Sequence, residues 1–78
     1  MNRTAVLSDQ APDALGPYSQ AIVAGGLVFC SGMAGIHPVT GTIADGIEAQ
    51  TEQALLNLAA VLTAAGSSMD DVVKTTIF

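Results

Sequence analysis

A length of 78 residues bounds the chain to one domain at most, and its net charge of -5 leaves two basic side chains, Arg3 and Lys74. Nucleic acids and anionic membrane surfaces both need clustered Lys and Arg, so the charge disfavours both partners. Half of the residues are hydrophobic and 12% are charged, against about 25% charged in an average soluble domain. A chain this short buries only about 60% of its unfolded surface, so the surplus apolar area calls for a cover from outside these residues, a subunit interface first of all.

The opening stretch MNRTAVLSDQAPD has no apolar core of secretory-signal length and is interrupted by Asp9 and Asp13. The most apolar run, Ala54 to Ala65, is broken by Asn57 and is shorter than the roughly 20 residues of a membrane helix. One cysteine, Cys30, precludes an internal disulfide and suits a reducing compartment. The expectation is a soluble, cytoplasmic protein.

In chain order, Thr4 to Leu7 reads as an edge strand, and Ser8 to Pro17, rich in Pro, Asp, Ala and Gly, as a loop. A β-hairpin follows. Tyr18 to Val23 is one arm, Gly25-Gly26 the turn and Leu27 to Ser31 the other arm, because tight hairpin turns need positive φ and glycine takes it without a Cβ clash. Leu27, Phe29 and Ser31 share one face of the second arm, and Val28, Cys30 and Gly32 share the other. Both faces are largely apolar, which predicts cover on both sides.

Gly32 to Gly46 reads as a loop with His-Pro-Val-Thr-Gly turn chemistry. Asp45 opens a helix, with Glu48 completing a capping box. Ala54, Leu55, Leu58, Val61, Leu62 and Ala65 recur at helical spacing and define its apolar face; Gly66 stops it. Ser68 and Asp71 cap a short turn, and Val72 to Phe78 is a β-prone run in which the chain ends. The sequence predicts an α+β fold with a mixed sheet, order β-β-β-α-β, and the helix on one face. The expectation is that residues 1–78 form a single partial domain, truncated at the C-terminus.

Taken alone, the residues give little chemistry. Cys30 and Ser31 are candidate nucleophiles without an adjacent base. His37 has no Cys, Asp or Glu at ligand spacing and reads as a solvated loop residue; Glu48 and Glu52 are a carboxylate pair one helical turn apart, read as solubilising. Ala24-Gly25-Gly26 precedes a strand rather than a helix and is no phosphate loop. No metal site is expected.

GPYSQAI, FCSG, HPVTG and DDVVKTTIF, in this order and at these intervals, resemble the RidA (YjgF) family of enamine/imine deaminases over essentially the whole chain. The resemblance implies a chorismate-mutase-like fold, a homotrimer with clefts between subunits, a small 2-imino acid substrate, and hydrolysis of reactive enamines and imines such as 2-aminoacrylate to 2-oxo acids and ammonia, with no metal or organic cofactor. It also implies that Tyr18 is the catalytic cleft tyrosine, and that Ser31 and Gly32 bind substrate. The family's carboxylate-binding arginine and water-positioning glutamate lie in a C-terminal half with no counterpart here; neither Arg3 nor Lys74 matches the arginine's motif. Met33 departs from the glutamine often found after Ser-Gly. An inactive short form and a non-catalytic assembly module pairing through its strand edge are the alternatives, with ribonuclease or translation-inhibitor activity behind them.

Overall fold

The structure, a computed structural model, describes residues 3–13 and 19–75. Three strands, β1 (Arg3–Val6), β2 (Ala21–Ala24) and β3 (Leu27–Cys30), are followed by a helix, α1 (Ile47–Ala64), and a single 3-10 turn over Met69–Asp71. The strands form one antiparallel sheet in the order β1-β2-β3. The hairpin turns at Gly25 (φ 58) and Gly26 (φ 77), both in the positive-φ region that a two-residue turn demands. The strand of the first arm begins at Ala21, so Ser19 and Gln20, expected within it, precede it, and the expected start at Tyr18 lies outside the described residues; the second arm ends at Cys30, one residue before the expected Ser31.

Register explains the core. Val6 pairs with Ala21, and Ala21 with Cys30; Thr4 pairs with Val23, and Val23 with Val28. Side chains in register share a face, so Val6, Ala21, Val23, Val28 and Cys30 form one apolar surface. Val61 of α1, fully buried, packs onto it with Ala60, Ala65, Ala11 and Met33. Burying one such valine is worth about 1.5–3 kcal/mol. The other face is open: Leu27 is 51% and Phe29 58% exposed. The helix therefore covers one side of the sheet, as the alternation along the second arm predicts, and nothing among the described residues covers the other.

Two details of the helix differ from expectation. Asp45 makes no capping box; Gly46 is the N-cap at φ 86, without a side-chain cap, and its carbonyl accepts the Gln50 N–H at 2.9 Å. A glycine in that position puts the carbonyl in place but has no side chain to bond the first-turn amides, and Asp45 lies one residue too early. Glu48 still sits in the first turn, where it complements the helix dipole. Also, the buried stripe is Asn57, Val61 and Leu62, whereas Leu55 is half exposed, because α1 is apolar on more sides than the sheet can cover.

The helix ends as Gly66 predicts. Gly66 has φ 81, its N–H reaches Thr63 O at 3.0 Å, and the Ser67 N–H reaches Leu62 O at 2.8 Å; these are the paired bonds of a Schellman motif. Ser68 gives no side-chain cap to the 3-10 turn; the Ser67 hydroxyl instead bonds Asp71 Oδ2 at 3.2 Å. The expected last strand differs as well. Val72 is extended, but residues 72–75 pair with no other segment among those described, and residues 76–78 lie outside them. Extended backbone becomes strand only when a neighbour supplies the ladder.

Gly66→Ala tests the helix stop. A Cβ there meets no atom within 4 Å, so the cost is conformational, about 1–2 kcal/mol for an L residue in the left-handed region. Thermal melts should show a midpoint lower by several degrees; an unchanged midpoint would refute the assignment.

Candidate functional site

The exit of β3 is built from one buried glutamine. Gln20, just before β2, is 3% exposed. Its Oε1 accepts the Ser8 N–H at 2.6 Å, and its Nε2 donates to Ser8 O at 3.1 Å, Pro12 O at 2.8 Å and, more distantly, Ala11 O at 3.4 Å. The side chain thus ties residues 8–12 to the start of β2, while Ser8 Oγ accepts the Gln10 N–H at 3.2 Å and closes that turn. The Gln20 main-chain carbonyl faces the other way. It accepts both the N–H and the hydroxyl of Ser31, each at 3.0 Å.

Ser31 is therefore held twice by one acceptor. With its proton directed at Gln20 O, its oxygen offers lone pairs to a ligand. Ser31 is half-buried and Gly32 exposed, so the pair is a fixed polar edge beside open backbone. Met33 turns inward and packs against the core; it fills space there. Tyr18, the third residue of interest, lies outside the described residues.

The remaining candidates are not gathered at this edge. Cys30 points to the opposite side of the strand from Ser31, and burial pushes its thiol pKa up, so little thiolate is available as a nucleophile. His37 is exposed but not idle: its Nδ1 accepts the Val39 N–H at 3.2 Å and, weakly, the Thr40 N–H at 3.4 Å. The His37 N–H reaches Thr42 O at 2.8 Å, and an Ile36–Ile43 bridge pairs the loop's two arms, giving this predicted loop an ordered turn. Glu48 and Glu52 flank an apolar trough of about 580 Å³ along α1 with Ile47, Leu55, Leu56 and Met69 on its walls. It contains neither Ser31 nor Gly32. Among the described residues no three His, Cys, Asp or Glu side chains form a group able to hold a metal, and no helix is long and apolar enough to cross a membrane.

Besides Gln20 and Ser8, a further buried polar residue is not singled out by the sequence. Asn57 is 1% exposed; its Nδ2 donates to Ala34 O at 3.0 Å and Ile36 O at 2.8 Å, while its Oδ1 accepts from Gln53 Nε2 at 2.9 Å. The signal was present, since Asn57 sits one turn before Val61 on the apolar stripe. A polar residue in that place is buried only if it bonds.

A family model described as Endoribonuclease L-PSP matches residues 8–78. Reactive Intermediate Deaminase A, chloroplastic, of Arabidopsis thaliana is 49% identical over 78 residues, which are 99% of this chain and 42% of that protein. The 2-iminobutanoate/2-iminopropanoate deaminase of Salmonella typhimurium is 41% identical over 78 residues, covering all of this chain and 60% of the relative. A crystal structure of a putative endoribonuclease L-PSP from Entamoeba histolytica superposes with TM-score 0.89 at 49% identity, over 92% of this chain and 58% of that one. The chain thus spans about half the length of the curated relatives it matches.

Gln20→Glu tests the carbonyl cradle. The new carboxylate would face the oxygens of Ser8, Ala11 and Pro12 in place of a donor. Its charged form is disfavoured, so its pKa in the folded chain rises above the ordinary value of about 4.3. The protonated form can still donate one bond; stability is retained below the unfolded pKa and lost as pH rises through the folded one. Denaturant midpoints should show a deficit of about 1–3 kcal/mol at neutral pH that narrows in acid. A deficit independent of pH would contradict the cradle.

Proposed function

The chain belongs to the RidA/YjgF family, and on that premise we propose that it represents part of a hydrolytic enamine/imine deaminase. The observation behind this reading is the identity of 49% across nearly the whole chain to a protein named for reactive-intermediate deamination. The substrate class would be small 2-imino acids, with water adding across C=N and ammonia leaving to give the 2-oxo acid. No metal or organic cofactor enters the reaction.

In this reading Tyr18 serves the proton transfers at the reacting carbon, and Ser31 and Gly32 contact the substrate. The Ser31 oxygen, its proton engaged by Gln20 O, suits the substrate's N–H. The substrate carboxylate asks for a cation, best an arginine with its two-pronged geometry. The basic residues of this sequence are Arg3 and Lys74, and neither sits in a motif that answers to that role. Residues 1–78 alone are therefore proposed to be inactive.

A second reading, an assembly module without catalysis, is favoured by the open sheet face with Leu27 and Phe29. The two readings meet in a homotrimer, in which that face is where subunits pack. RNA cleavage, the activity in the family model's description, fits poorly with a net charge of -5.

Two measurements test this. With a dehydratase generating 2-aminoacrylate, the 78-residue chain should release no ammonia above a control without protein; release in proportion to added chain would overturn the argument from the missing cation. In light scattering at micromolar concentration the chain should run larger than a monomer. A well-folded monomer would remove the subunit reading of the open face.

A further inference from the structure

We propose that Asn57 is a positioning residue for the Ser31–Gly32 edge, acting through the segment that leaves β3. The proposal rests on the reading of Ser31 and Gly32 as ligand contacts. Both amide protons of Asn57 are spent on this segment, one on Ala34 O and one on Ile36 O. Gln53 fixes which end of the carboxamide points there by donating to Asn57 Oδ1. The side chain is 1% exposed, and its two donors match the two carbonyls on either side of Gly35.

Gly35, between those two carbonyls, shows how closely the segment is drawn in. A Cβ on Gly35 would lie 2.6 Å from Gln50 O and 2.7 Å from Gln50 Cα. These are backbone atoms of α1 and cannot move aside as a flexible side chain would. Only a glycine lets the strand exit touch the helix here. The Gly35 carbonyl, turned away, accepts the Ala44 N–H at 2.9 Å, so the loop's return arm is tied to the same point.

The segment is thus anchored at both ends. Gln20 O holds Ser31 at one end, and Asn57 holds Ala34 at the other. Only Gly32 and Met33 lie between, and Met33 is lodged against the core. Gly32 is left with little freedom, although glycine loses more backbone entropy than any other residue when ordered. Without the Asn57 bonds the segment is pinned at one end only, and Gly32 can leave its place while the sheet and helix persist.

The experiment uses the 15N-labelled 78-residue chain, with amide hydrogen exchange and titration by 2-oxobutanoate, the stable product of 2-iminobutanoate hydrolysis. In Asn57→Leu, which places an apolar residue of similar size on the buried stripe, exchange at His37 and Ala44 should rise at least tenfold relative to Val23 in β2, while Ser31 stays held by Gln20 O. Shifts of the Gly32 amide caused by 2-oxobutanoate should weaken at least threefold in apparent affinity. Gly35→Ala, which pushes the segment off α1 from its own side, should give the same local pattern and decides the matter where Asn57→Leu does not fold. Exchange rising equally at Val23 and Ala44 in the folded variants overturns the proposal, as does unchanged exchange at His37 and Ala44. Absence of any 2-oxobutanoate shift at Gly32 in the parent chain removes the ligand reading of that residue and leaves the exchange pattern to judge the anchoring.

Discussion

Main-chain carbonyls turned from water must be paired, and in the irregular segments before β2 and after β3 side-chain amides do this. Gln20 satisfies the carbonyls of the turn before β2, and Asn57 those of the segment after β3. Neither position suits a charged or purely apolar residue. A carboxylate repels the carbonyls it meets, and a hydrocarbon leaves them unpaired at a cost of about 1–3 kcal/mol each. Among the described residues no buried side-chain nitrogen or oxygen lacks a partner. Two irregular segments can therefore lie against the core without the regular bonding of strand or helix.

The second controlling quantity is apolar surface. One side of the sheet and one stripe of α1 are consumed by each other around Val61. The apolar surface left over on these two elements includes the sheet face with Leu27 and Phe29 and the α1 trough with Leu55 and Leu56. The polar edge at Ser31 and Gly32 lies at the end of the strand that carries the first region. In the reading proposed for this family member, partner contact and ligand contact are then neighbours along a single strand, and the hairpin's register links them.

Regular structure was legible where local chemistry dictates it. The Gly25-Gly26 pair, the alternation of β3 and the stop at Gly66 each follow from φ preference or side-chain period, and each is present. The misses arose where tertiary context decides. Asp45 and Glu48 have the spacing of a capping box, yet Gly46 occupies the cap. Val72 to Thr75 have strand propensity but no neighbour among the described residues. Of the candidate site, Ser31 and Gly32 can be named from their motif, whereas what holds them cannot. Gln20 lies within GPYSQAI, but the motif does not say what its side chain binds, and Asn57 reads as an interruption of a hydrophobic run.

The in-line order of the three strands has a kinetic consequence. Every pairing in the sheet joins segments adjacent in sequence, so the hairpin can zip outward from Gly25-Gly26, β1 can be captured by closing one modest loop, and α1 can dock afterwards. Low sequence separation of this kind lowers the entropy spent before contacts form and goes with fast folding. A growing chain could assemble this sheet while still tethered to the machinery that makes it, before α1 emerges.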